Sequence, residues 1–210
     1  MRVILDNEPC TIEAENLGEA LAAASDLAEG RGRLVVEVLV DGTLLSDAQL
    51  QEESLLCSTA GEIELKTTTA AALLRETFIQ AAESIRDTAR IQENAAELLR
   101  SGQPSQGMQA IGTALASWGE IHEAAVKGLL LAGEDPENLV VRQIPFEEAN
   151  SALQQQLGEL QRGIEAQDAS SICDCLLYEF PKVCEIWIEV LQGMATRYDQ
   201  RKPGQFQGDE

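Results

Sequence analysis

Between Thr69 and Leu99 the chain keeps a seven-residue pattern without a break: Leu74, Phe78, Ala81, Ile85, Thr88, Gln92, Ala95 and Leu99 stand at alternating spacings of three and four, with charges outside them. A stripe of this length forms one long amphipathic helix. Burying each large apolar side chain is worth roughly 1.5–3 kcal/mol, so the stripe requires partners, and further helices must cover it.

The rest of the chain supplies them. Ser101-Gly102, with Pro104 just beyond, closes the first long helix by a short turn. A second stripe runs through Met108, Ile111, Leu115, Trp118, His122, Ala125 and Leu129 and stops at Gly133. Two heptad helices joined so tightly pair antiparallel. The connection from Gly133 to Pro145 carries Leu139, Val140, Val141 and Ile144, which predicts a packed segment rather than a solvated loop. A third helix, Phe146 to about Ala166, places Phe146, Asn150, Leu153, Leu157, Leu160 and Ile164 on one stripe. Asp168, with Ser170 and Ser171, starts a fourth through Ile172, Leu176, Val183, Trp187, Val190, Met194 and Tyr198. Pro181 inside it predicts a kink, or two abutting helices with Pro181 in the first turn of the second. Short, long and short connections between four helices resemble an up-and-down four-helix bundle over residues 67–199. The remainder, 200–210, is Gly, Pro, Gln and charge and is expected to be a disordered tail.

The first 66 residues read differently. Val3 and Leu5, then Cys10, Ile12 and Ala14, alternate around Asp6-Asn7-Glu8-Pro9 as a hairpin. Asn16 and Glu19 have the spacing of an N-cap and its capping-box acid, and Leu17, Leu21, Ala24 and Leu27 make one helical face ending near Gly30 and Gly32. The β-branched run Leu34–Val40 ends at Asp41-Gly42, a strong hairpin signal, with Leu44 and Leu45 after it. A loop rich in Ser, Asp and Glu leads to a last strand, Glu62–Lys66, and Thr67–Thr69 supply a capping stretch for the long helix. Strand, strand, helix, strand, short strand, strand resembles the β-grasp or ubiquitin-like fold. Ubiquitin-like sulfur carriers and modifiers act through a free C-terminal Gly-Gly. Here the final strand runs into a helix, so the resemblance implies a binding module and no conjugation chemistry. The module holds no Phe, Trp or Tyr. The fold class expected is therefore α+β, a small β-grasp-like domain over residues 1–66 followed by the bundle.

Charge and cysteine content narrow the function classes. Fifteen Lys plus Arg against 36 Asp plus Glu give a net charge of −21, spread over both parts. Phosphate binding needs clustered Lys and Arg, and none is present, so nucleic acid and anionic membranes are not expected partners. Five cysteines, with an aspartate interrupting the apolar start after Leu5, point to reduced thiols and a cytoplasmic address.

Reactive constellations are sparse. His122, the one histidine, lies on the seam of the second long helix beside Trp118, where it reads as a hydrogen-bonded core residue. Glu120-Ile-His122-Glu123 lacks the Glu-x-x-His spacing of di-iron bundles. Cys173, Cys175 and Cys184 with His122 make a nominal Cys3His set, but helical residues two apart point about 200° apart, so Cys173 and Cys175 read as core thiols. A Cys–His122 nucleophile pair lacks an orienting residue and an oxyanion loop. Gly30-Arg31-Gly32 follows a helix and is too short for a dinucleotide fingerprint. No catalytic, cofactor-binding or metal residue is assigned. Glu83 with Arg86, and Glu93 or Glu97 with Arg100, read as solvated surface pairs.

These features together predict a non-enzymatic cytoplasmic interaction protein with an acidic surface, whose polar seam residues Thr88, Gln92, His122 and Asn150 fix helix register. Its expected partner is another protein, basic or presenting an amphipathic helix. The second reading is a chaperone for an exported or assembling protein, since small, acidic and helical chains resemble the flagellar and type III secretion chaperones. A metal-binding bundle or enzyme comes third. The leftover apolar positions Leu73 and Leu98 raise a homodimer as a further expectation.

Overall fold

The computed structural model describes residues 1–199 of the 210-residue chain. The fold is mixed α and β, with a five-stranded sheet in the N-terminal part and helices after it. It divides into two compact units, Met1–Leu73 and a second beginning at Leu74. The tail expected to be disordered, 200–210, lies outside the described residues. Among the described residues no helix is long and apolar enough to cross a membrane.

In the first unit, β1 (Arg2–Leu5) and β2 (Glu8–Cys10) form the hairpin, and its two turn residues Asp6 and Asn7 both take positive φ, 51° and 68°. Asx residues tolerate that region because their side chains bond locally. Helix α1 (Leu17–Glu29) starts at Asn16, whose side chain accepts from the Glu19 amide at 2.9 Å while Glu19 accepts from the Glu15 amide. β3 (Arg33–Val40) turns through Asp41-Gly42 into β4 (Thr43–Leu44). The acidic loop contains two single-turn helices, α2 (Asp47–Leu50) and α3 (Glu53–Leu56). β5 (Glu62–Thr69) then pairs parallel to β1 and antiparallel to β3, giving the order β2-β1-β5-β3-β4. Val3, Leu5, Ile63, Leu65 and Val38 form the buried side of the sheet and share a core with Leu17, Ala20, Ala24 and Ala28. The small alanines take the centre of the α1 face, and Leu21 and Leu27 flank it. Thr67 and Thr68 correct the expected capping stretch: both pair with β3, and only Thr69 caps, its Oγ1 accepting from the Ala72 amide at 3.1 Å.

The end of β5 is held by a polar knot. Asp6 accepts from the Thr67 amide at 2.7 Å and from its hydroxyl. Arg33 donates to the Thr67 carbonyl at 2.8 Å and lies 3.3 Å from the Asp6 carboxylate. The Thr67 hydroxyl and amide, aided by Arg33, hold the Asp6 carboxyl below its ordinary value against a smaller desolvation effect.

In the second unit, α4 (Ala70–Arg100), whose first turn belongs to the first unit, buries Leu74, Phe78, Ala81, Ile85, Thr88, Gln92 and Ala95. The stripe read from sequence is the stripe that is buried, with Leu99 half-buried at its end. On the outer face the pair in contact is Asp87 with Arg90, 2.8 Å, not Glu83 with Arg86. Helix α5 (Pro104–Leu131) comes next, then a hairpin of β6 (Val140–Val141) and β7 (Ile144–Pro145), which buries Leu139 and Val141. After it stand α6 (Phe146–Glu165), α7 (Ala169–Asp174), a π-helical segment (Cys175–Glu179) and α8 (Phe180–Asp199). The Asp168 side chain accepts from the Ser170 and Ser171 amides at the start of α7. Pro181 falls in the first turn of α8. The chain accommodates it by widening one turn, in which the Phe180 amide reaches back five residues to the Cys175 carbonyl.

Helix α5 corrects the sequence reading. Its buried face is Gly107, Ile111, Ala114, Trp118, Ile121, Ala125, Gly128 and Leu129, whereas the expected seam residues Met108 and Leu115 are 38% and 37% exposed. The reason is close packing against α4. A Cβ on Gly128 would stand 2.8 Å from Phe78 Cζ, and one on Gly107 would stand 2.8 Å from Leu99. Only small residues fit there, so α5 turns them inward and its larger residues move to the flank.

Two outcomes test this packing. Asp6→Asn, which keeps the positive φ, should destabilise the first unit by about 1 kcal/mol at neutral pH, discounted for solvent access. Because the folded carboxyl titrates below its unfolded value of 3.8, its contribution is complete above that pH and is lost as pH falls through the lowered folded value. Urea unfolding read at the Thr67 amide by hydrogen exchange should therefore show the wild-type and variant curves converging in acid. Gly128→Ala would normally add about 1 kcal/mol of helix propensity. Against the buried Phe78 ring, overpacking of roughly 1–3 kcal/mol should reverse the sign, and a raised thermal midpoint would refute the close contact.

Candidate functional site

Turning α5 inward by its small residues leaves an apolar flank. By the 3.6-residue period, Met108, Leu115, Val126 and Leu130 line up on one side of the helix, and Leu130 is 64% exposed. Between this flank and α6 lies a groove of about 310 Å³. Leu115, Trp118, Gly119 and His122 form the α5 wall. The α6 wall is Asn150, Leu153, Gln154 and Leu157, two amides alternating with two leucines. A second groove, about 330 Å³ between α4 and α5, is lined mainly by short polar and charged side chains such as Ser84, Asp87, Ser117 and Glu120.

Trp118, which lines the α5–α6 groove, belongs to an aromatic cluster in the core. Trp187 of α8 stands edge-on to Trp118 at 6.0 Å and to Phe146 at 5.6 Å, and Phe180 lies 6.4 Å from Trp118. Such pairs add about 0.5–1.5 kcal/mol beyond burial. The two indoles differ in one respect. Trp187 Nε1 donates to the Ala149 carbonyl at 2.9 Å, whereas Trp118 Nε1 is buried with no acceptor. Among the described residues it is the one buried side-chain nitrogen or oxygen left so. A donor in that state costs about 1–3 kcal/mol.

His122 is half-buried in the groove wall, its ring 6.0 Å from Trp187. Its Nε2 and Asn150 Oδ1 lie 3.2 Å apart, a hydrogen bond in the tautomer protonated at Nε2. Sequence reasoning placed both residues on seams. It did not bring them together, because their meeting depends on how α5 is turned. Gly119 and Gln154 were not singled out at all. The available signal was the width of the α5 apolar arc, which exceeds what one buried face needs.

The three cysteines near the end of the chain are separate. Cys173 Sγ donates to the Ala96 carbonyl at 3.6 Å, Cys175 Sγ points to Gln156, and Cys184 Sγ lies 3.9 Å from Gln92 Oε1. Burial pushes the Cys175 thiol up to about 11, with Glu159 and Glu179 adding to it, and the Cys184 thiol up to about 12. Cys173 is raised for the same reason. Thiols held protonated are poor nucleophiles and poor ligands. Among the described residues no three His, Cys, Asp or Glu side chains converge on a metal position.

Thiol titration with an aromatic disulfide should thus resolve two classes: exposed Cys57 and half-buried Cys10 react in the folded chain, and Cys173, Cys175 and Cys184 react only on unfolding. Fast labelling of any of the last three would contradict their burial.

No protein-family model matches the chain, and no curated protein or solved structure is similar enough to match it.

Proposed function

We propose that this chain is a non-enzymatic, cytoplasmic interaction protein that binds a basic partner protein through the α5–α6 groove. The observation that carries the reading is the apolar flank of α5, on which Met108, Leu115 and Leu130 are exposed. Medium-sized apolar grooves with a few polar groups are where proteins take ligands. The net charge of −21 favours a basic partner and speeds its approach. The site chemistry supports contact rather than transformation: its histidine faces an amide, and the nearby thiols are held protonated. All five cysteines are free, in keeping with a reducing compartment.

The same proposal names the two units. Strand order β2-β1-β5-β3-β4, with β1 and β5 parallel and α1 sharing a core with one side of the sheet, supports a β-grasp-like module. Four rods (α4, α5, α6 and the α7–α8 run) sharing one core support an up-and-down four-helix bundle. The open flank also favours the second reading, a chaperone that covers an amphipathic segment of an exported or assembling protein.

Affinity capture at low ionic strength should recover one stoichiometric protein carrying a basic segment, released by added salt and lost with Leu115→Glu. Recovery of no stoichiometric partner, or equal recovery with the variant, would refute the reading. A chaperone is distinguished by whether the partner aggregates once released.

A further inference from the structure

Resting on that reading, we propose that the α5–α6 groove takes a single amphipathic α-helix of the basic partner, seated with its backbone against Gly119. Glycine inside a helix lowers its stability relative to alanine, so each one asks for a reason. Gly107, Gly128, Gly163 and Gly193 have theirs, because a Cβ on any of them would stand 3.0 Å or less from a neighbouring side chain. Gly112, Gly119 and, on α6, Gly158 have none within the chain: nothing lies within 4 Å of a Cβ at any of the three. Of these, Gly112 and Gly119 belong to α5. They are seven residues apart, on the flank that carries Leu115, and Gly119 is part of the groove wall. The missing side chains leave room for another backbone to approach closely.

The second observation is independent of the glycines. Trp118, Leu115, Leu153 and Leu157 line the groove together, an apolar strip shared by two helices. Such a strip takes the apolar face of a docked segment. The shape selects a helix. The flank from Met108 to Val126 runs roughly 27 Å at 1.5 Å per residue, and apolar anchors at helical spacing fit between Leu115 on α5 and Leu153 and Leu157 on α6, with Asn150 and Gln154 left for polar positions.

Charge selects the partner over a second copy. Helices α5 and α6 carry six glutamates against Lys127 and Arg162, and those two cations are tied to Glu123 and Glu159. A second copy brings the same −21 and is repelled.

The test uses the full chain and two synthetic 18-residue peptides of Leu and Lys without tryptophan, one patterned as an amphipathic helix and one of similar composition interrupted by two prolines. The helical peptide should bind, shift the emission of the two tryptophans, and bind at least tenfold more tightly than the proline peptide. Gly119→Leu should weaken binding at least tenfold. Gly119→Ala should leave the thermal midpoint unchanged or raised, as expected where no neighbour opposes the added methyl. If Gly119→Leu loses its helical circular dichroism, Leu115→Glu is read in its place. Equal binding of both peptides, or equal binding by wild type and variant, overturns the helix but leaves a charge-selected partner standing. Binding of neither peptide at low salt overturns both readings. A dimer in sedimentation that Gly119→Leu dissociates assigns the groove to a second copy and overturns the helix proposal.

Discussion

The approach of α5 to α4 governs the second unit. Phe78 and Leu99 leave space on the facing helix for a hydrogen atom only, and Gly128 and Gly107 supply it. Once those positions face inward, the angle of α5 is set, because the residues three and four positions along turn inward with them. Trp118 and Ile121 turn into the core with them, and Met108, Leu115 and Leu130 are carried outward. The aromatic cluster around Trp187 fills the interior that this arrangement leaves. The open flank is a consequence of how tightly the other side is packed.

The legibility of the sequence tracks side-chain size. On α4 and α8 large residues recur at regular spacing, Leu74, Phe78 and Ile85 on the first and Val183, Trp187, Val190 and Met194 on the second, so the pattern and the buried stripe coincide even where Ala81, Thr88 or Gln92 stands between. Local backbone chemistry was legible too, since Asn16 with Glu19 and Asp41 with Gly42 act within a few residues of themselves. On α5 the reading slipped by part of a turn. Ile111, Trp118, Ala125 and Leu129 of the expected stripe are buried, but Gly107, Ala114 and Gly128, which carry little or no hydrophobic signal, share that face, while Met108 and Leu115, which carry a strong one, lie outside it. The candidate site falls in that discrepancy. His122, Trp118 and Asn150 each drew attention separately, but only the tertiary angle of α5 brings them to one groove.

The proposal of binding rather than bond making draws on the chemistry of the groove. Its polar groups are an imidazole facing an amide and a glutamine, and its apolar groups run from buried Trp118 and Leu153 to exposed Leu115. The nearby thiols each have their own neighbour and are held protonated by burial. In the first unit the Asp6–Arg33–Thr67 knot fixes the end of β5, so the module closes on its own contacts.

The central claim is that the outer flank of α5 is the working surface of this protein. Hydrogen–deuterium exchange on the isolated chain and on the chain in its native complex tests that claim most directly. Binding should slow exchange in peptides covering 108–126 and 150–161, leaving the sheet strands unchanged. Protection confined to the sheet, with α5 and α6 exchanging as in the free chain, would contradict it.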